Sequence, residues 1–286
     1  MRKIRQIHQA TYAPIADLVT YSPLPSRSVR MIDPFIFLNH HGHQVYPAHN
    51  QGLPFGPHPH RGMETVTFIL AGDITHMDSG GHKSVIRAGG IQWMTAGKGL
   101  IHAEVSSADF KQHGGDLEIL QLWVNLPARL KMTEPRYIGL QSEEIPVVEE
   151  DGGKVRVQVV SGTWGDRKAV LDTLSDIHLD TIYFDAGGKL ELSLPQTRNI
   201  FCYVVRGKLE INEKTIGMRN LVEFENDGNT ISFTAVEDSV LLWGHAVPFD
   251  EPVVAQGPFV MNTQEEILQA YEDYRAGKFG SWEFPD

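Results

Sequence analysis

The 286-residue chain carries 36 Asp and Glu against 25 Lys and Arg, and the net charge of -11 repels phosphate backbones, which argues against direct nucleic-acid binding. With 41% apolar and 21% charged residues, it has the composition of an ordinary soluble globule and not of a disordered or coiled-coil chain, and its length allows one large domain or two ordinary ones. Cys202 is the one cysteine and cannot form an internal disulfide, and no apolar run reaches signal-peptide or membrane-span length, so cytoplasm is the expected compartment and no membrane is involved.

Glycines and prolines, 27 and 16 in number, fall regularly between short apolar runs, the spacing of an all-β fold. Strands are expected at 64–70, 83–87, 91–94 and 117–124, each bounded by glycine or polar turn residues. In the last of these Gln121, Trp123 and Asn125 alternate with Leu120, Leu122, Val124 and Leu126. The polar face could line a cavity, or it could meet water or a neighbouring domain. Residues 199–212 repeat the layout of 64–77: an apolar strand reaches a glycine, Gly207 or Gly72, and restarts at once as in a tight hairpin. Two tandem β domains follow, with their boundary in the Pro-, Glu- and Gly-rich stretch 133–153, placed between 135 and 136. Cys202, inside the apolar run from Ile200 to Val204, reads as buried and inert. Near the end, Thr263-Gln-Glu-Glu266 forms a capping box, Ile267, Leu268 and Tyr271 share a face, and Gly277 stops the helix, which should close one end of the β domains.

Among 13 histidines the pair His58-Pro-His60 stands out, because residues two apart on an extended chain point to one side. His102-Ala-Glu104 has the same spacing and adds a carboxylate. If their strands are neighbours, three imidazoles and one carboxylate converge, a donor set suited to a first-row divalent metal with positions left for water or substrate. His40, His41, His43 and His49 cluster after Phe35, where a solvated loop rim is expected. His178 and His245 stand alone and read as surface or structural.

Gly52-x5-His58-x-His60-x3-Glu64 followed by Gly72 resembles the first cupin motif. Gly97-x-Gly99-x2-His102 departs from the second, with glycine where cupins usually carry proline and Ser106 in place of the usual asparagine. Within the cupins the chain is similar to the pirins. The likeness is carried by Asp33-Pro-Phe35, His58-Pro-His-Arg-Gly-Met-Glu-Thr-Val66, Gln92-Trp-Met-Thr-Ala-Gly97, His102-Ala-Glu104, Leu120-Gln-Leu-Trp-Val-Asn-Leu126, Gly257-Pro-Phe-Val-Met-Asn-Thr263 and Gly277-Lys-Phe-Gly280.

The resemblance implies an all-β bicupin, two tandem jelly-roll β-barrels with a short C-terminal helix. Residues 1–135 would form the metal-binding cupin, and 136–286 the metal-free cupin with the helix. It implies one mononuclear divalent transition metal held by His58, His60, His102 and Glu104, Fe(II) first, with Ni, Mn, Cu and Zn as alternatives. Glu64 would orient a ligand, or bond Arg61 or backbone at a strand start. Pirins resemble quercetin 2,3-dioxygenases, which insert both atoms of O2 into a flavonol and release carbon monoxide. In that chemistry Glu104 could accept the proton of the substrate's 3-hydroxyl, with Phe55, Met63 and Trp123 as cavity walls or plain core. The competing implication is a regulator without turnover, whose metal redox state alters binding to a transcription factor or a metabolic enzyme. The acidic surface suits such a protein partner, while the absence of a Lys- or Arg-rich run argues against a nuclear role. A monomer is expected, since fused cupin domains can bury against each other the surface that single cupins bury by dimerising.

Overall fold

The structure, a computed structural model, describes residues 1–284. It divides into two compact units. The histidine-bearing unit comprises Tyr12–Thr20, Phe35–Glu143 and the chain from Phe249 on; the other comprises Met1–Thr11, Tyr21–Pro34 and Glu144–Pro248.

The chain is all-β, as the glycine and proline spacing predicts, and the expected strands form at Met63–Ala71, Lys83–Arg87, Ile91–Thr95 and Gly115–Asn125. In the histidine-bearing unit, Arg136–Leu140, Ile91–Thr95, Met63–Ala71, Gly115–Asn125 and Phe35–Tyr46 lie side by side in one sheet. The second sheet runs Phe55–His60, Leu100–Val105, Asp73–Asp78, Lys83–Arg87. Both sheets contribute to an apolar plug of Leu53, Ile69, Ile74, Ile86, Leu117 and Ile119 at one end of the interior. Because side chains alternate along a strand, the same face that supplies Leu117 and Ile119 supplies Gln121 and Trp123 further along.

The other unit repeats the plan. One sheet runs Ile4–Gln9, Asn220–Phe224, Asn199–Arg206, Ser239–Ala246, Ile177–Phe184, Val155–Ser161, Val147–Glu150, and the other Lys189–Ser193, Thr230–Ala235, Lys208–Ile211, Lys214–Gly217. Its interior is filled by one apolar cluster that includes Cys202 and Trp243. Both units are jelly-roll barrels of the cupin type.

The units are not the contiguous halves 1–135 and 136–286, because the chain ends are exchanged. Strand Ile4–Gln9 pairs with Asn220–Phe224, Ile7 opposite Val222, and Ile4 packs on the core of that unit. Helix Gln264–Arg275 belongs with the histidine-bearing unit, where Phe259, Met261, Ile267, Ala270 and Phe279 cluster against Ile101. The partner of a terminal strand is whichever distant edge offers unpaired N–H and C=O groups, which local pattern does not encode. The helix opens on the expected capping box, Thr263 Oγ1 accepting from the Glu266 N–H at 3.2 Å and the Glu266 carboxylate accepting from the Thr263 N–H at 3.0 Å. Its buried stripe is Ile267, Ala270 and Asp273, whereas Leu268 is 57% exposed, since the next residue along a helix turns about 100° away. No helix among the described residues is long and apolar enough to cross a membrane.

Candidate metal centre

Strand Phe55–His60 pairs antiparallel with Leu100–Val105, with His58 directly opposite His102 and His60 opposite Leu100. Directly opposed residues share a face, and so do residues two apart on one strand, so His58, His60 and His102 must meet in the barrel interior. Their ring centroids lie 4.4 Å (His58–His102), 4.9 Å (His58–His60) and 4.9 Å (His60–His102) apart. Each offers a ring nitrogen within 4.8 Å of the others. Glu104, two residues on from His102 along the same regularly paired strand, faces the same interior but lies outside that triad of nitrogens. Its carboxylate accepts hydrogen bonds from the Thr67 hydroxyl at 2.9 Å and from the amides of Gln92 and Gln121.

The triad fits a metal in three respects. The Nδ1 atoms of His58 and His60 lie 2.7 Å from the Gly56 carbonyl and 3.2 Å from the Pro258 carbonyl. A carbonyl only accepts, so both Nδ1 atoms carry the hydrogen and both Nε2 atoms present a lone pair to the interior. The Nε2 atoms of His58 and His102 are 3.0 Å apart. That is about the separation of two nitrogens bound at right angles and roughly 2.1 Å from one ion. Finally, His60 and His102 are buried and neutral: burial, with His58 adding to it, pushes His60 down to about 3, and burial with His58, His60 and His76 nearby carries His102 well below its ordinary value. Neutral imidazole is the form that ligates.

The surroundings settle several residues that the sequence leaves open. Gln121 and Trp123 line the interior: Gln121 reaches Glu104, and Trp123 stands edge-on to His60 at 5.2 Å while stacking on Phe37 at 4.4 Å. Among the described residues the buried Trp123 Nε1 has no hydrogen-bond partner, and it is a donor available to a ligand. Asn125 continues that face and accepts from the buried Lys131 ammonium at 2.7 Å, which also donates to the Gly62 and Val260 carbonyls, each at 2.9 Å. Met63 is fully buried opposite Asn125, and Phe55 packs on the apolar plug.

Glu64 is not a partner of the histidines. It sits opposite Val124, on the outward face of its strand, where it accepts from the Thr95 hydroxyl at 2.6 Å and burial raises its carboxyl. Arg61 goes elsewhere too, donating to the Lys98 carbonyl at 2.7 Å and to Asp273 of the C-terminal helix at 2.8 Å. The expected loop of His40, His41 and His43 is in fact strand Phe35–Tyr46. Alternation sends His40 to Glu118 at 2.9 Å on one face and His41 to Thr20 Oγ1 at 2.8 Å on the other, both buried, while His43 is exposed beside Asp116. Such side chains cannot converge on one ion. The Pro258 carbonyl that orients His60 lies 198 residues away in sequence and carries no local signal. Gln92, by contrast, opens the local segment Gln92-Trp-Met-Thr-Ala-Gly97.

Comparison with known proteins places these features in a wider set. The Pirin family model matches residues 18–124, and the Pirin C-terminal cupin domain matches residues 180–280. A pirin-like protein of Caulobacter vibrioides is 38% identical over 260 residues, 90% of this chain and 91% of the relative. A pirin-like protein of Solanum lycopersicum is 39% identical over 256 residues, 87% of this chain and 82% of the relative. The crystal structure of quercetin 2,3-dioxygenase from Acinetobacter baumannii superposes with a TM-score of 0.91 at 34% identity, covering 98% of this chain and 99% of that one.

Proposed function

The chain belongs to the pirin family, and from that premise we infer that it is a metal-dependent dioxygenase of the quercetin 2,3-dioxygenase type, opening a flavonol ring with O2 and releasing carbon monoxide. The observation that carries this reading is the convergence of His58, His60 and His102 beside the Glu104 carboxylate in a barrel interior. In it, the three histidines and Glu104 hold one divalent ion, Fe(II) ahead of Ni, Mn, Cu or Zn. When bound there, such an ion would supply Lewis acidity toward the substrate's 3-hydroxyl and an electron path to O2.

The remaining work falls to the chain's own groups. Glu104 takes the 3-hydroxyl proton on a carboxylate oxygen, and the donors from Thr67, Gln92 and Gln121 hold that carboxylate in place. The carbonyls of Gly56 and Pro258 fix the ring orientations of His58 and His60. Trp123, braced by Phe37, offers a flat wall to an aromatic ring and keeps water from that side. The protein acts as a cytoplasmic monomer in this reading.

Oxygen uptake with quercetin tests it, using protein purified without added metal, reconstituted with Fe(II), and run beside His60→Ala. Catalytic uptake that depends on the metal and disappears in the variant is expected. Bound metal without turnover would overturn the enzyme reading in favour of a regulator or another substrate.

A further inference from the structure

The other barrel, which lacks an H-x-H pair, contains a cavity of about 150 Å³ lined by Thr163, Trp164, Leu192, Leu194, Trp243 and His245. His178 and His245 are not solitary: they face each other across paired strands and stack at 4.5 Å with their planes 25° apart. His245 is 6% exposed. Its Nδ1 receives a hydrogen bond from Arg198 Nε at 2.7 Å. A guanidinium only donates, so Nδ1 accepts and the ring hydrogen sits on Nε2. That Nε2–H has no hydrogen-bond partner among the described residues, although the ring lines the cavity.

The imidazole is held from behind. Arg198 also donates to the Asp176 carboxylate at 2.5 Å and to the Asp176 carbonyl at 3.1 Å, so its position is fixed and its charge offset. His178 Nδ1 accepts from the Thr163 N–H at 3.3 Å while its Nε2–H donates to Asp176 at 2.9 Å. Asp180 lies directly opposite Trp243, 2% exposed, its Oδ1 without a partner among the described residues. Burial holds its carboxyl well above the usual carboxylate range.

An oriented donor on a residue 6% exposed, opening into a pocket that Thr163 and Ser193 line beside the indoles and leucines, has no acceptor among the described residues and is placed to meet one on a ligand. A cavity of about 150 Å³ is the size that takes one benzene ring, well short of the roughly 300 Å³ and more usual for larger ligands. We propose that this cavity is a second ligand site, separate from the histidine triad, which takes a single aromatic ring bearing an acceptor oxygen, of the benzoate type. The ring packs against the indoles of Trp164 and Trp243, and the oxygen accepts from His245 Nε2–H.

The test is a titration of the full ¹⁵N-labelled chain with benzoate, followed on the indole N–H resonances and by calorimetry, with toluene as the ring that lacks an acceptor. Saturable shifts of Trp164 and Trp243 are expected, assigned through the corresponding Trp→Phe variants. His245→Leu should weaken benzoate binding about tenfold or more, and toluene should bind correspondingly more weakly than benzoate, while His245→Gln, which keeps an N–H, recovers most of the affinity. Should His245→Leu fail to fold, Trp164→Ala removes a cavity wall from a partly exposed position and is expected to abolish the shifts. The proposal is overturned by shifts confined to Trp93 and Trp123, by no saturable shift at millimolar benzoate, or by equal binding of toluene and benzoate. Benzoate affinity unchanged in a folded His245→Leu protein overturns it as well. None of these outcomes depends on metal or turnover at the triad.

Discussion

The two barrels share a strand order and differ in what fills it. In each four-stranded sheet an edge strand pairs with a neighbour: Phe55–His60 with Leu100–Val105 in one unit, Lys189–Ser193 with Thr230–Ala235 in the other. Where the first sets His58 and His60 against the strand of His102 and Glu104, the second sets Leu190 opposite Phe233 and Leu192 opposite Ile231. Those four apolar side chains belong to or pack on its core. The scaffold therefore does not decide the chemistry; a few inward positions do. Each buried Leu, Ile or Phe contributes about 1.5–3 kcal/mol by leaving water. A barrel that replaces them with histidines gives up that term and must orient every ring from outside, through Gly56, Pro258 and the donors around Glu104.

The largest effect should come from making one barrel resemble the other. His102→Leu places at the centre of the triad the residue type found in the second barrel. Metal content after reconstitution and dialysis is expected to fall from one equivalent to none, with oxygen uptake down by at least about 100-fold, since loss of a mere orienting partner already costs about 10–100-fold. Thermal stability without metal should change little, because among the described residues the only hydrogen-bond partner the His102 side chain loses is His58 Nε2, and leucine fills the same buried position. A full equivalent of metal retained in His102→Leu would break the assignment. The reverse probe is Phe233→Ala, in the apolar barrel. Deleting that buried ring should cost about 3–5 kcal/mol in urea unfolding and leave metal content unchanged. A loss of metal there would mean that the two interiors are not independent.

The same contrast explains what the sequence makes legible. Strands with period-two alternation and dyads two residues apart are local facts, so His58, His60 and His102, the hairpins at Gly72 and Gly207, and the capped helix can be read directly. Which strand lies beside a dyad is a matter of pairing, and the irregularity that sets Phe55 and not Gly56 opposite Glu104 has no local signal. Pairing also hides the exchange of the chain ends. The buried histidines show the limit most clearly. His40 and His41 look like a loop because histidine and glycine are weak strand formers, yet pairing with Gly115–Asn125 overrides that preference. His245 looks solitary because Arg198, Asp176 and His178 reach it from other strands.

The smallest effect concerns acid. Outside the triad, each barrel holds a buried histidine whose protonation is strongly disfavoured, His41 in one and His245 in the other. Burial, with His40 close by, holds His41 down at about 3, and burial with Arg198 and His178 holds His245 at about 2, against an ordinary 6.5. Both stay neutral in the fold and take up a proton near 6.5 once unfolded. The unfolded chain thus binds more protons between about 6.5 and 3, so this contribution to stability is complete above that window and is lost progressively as pH falls through it. At pH 5.5 each group should cost about 1.4 kcal/mol relative to neutral pH. Urea midpoints at pH 7.5 and 5.5 check this, with His41→Gln and His245→Gln each expected to remove their share of the drop. Equal shares would mean that acid sensitivity follows from burial common to both barrels, whereas a drop unaffected by His245→Gln would place it wholly in the barrel that carries the triad.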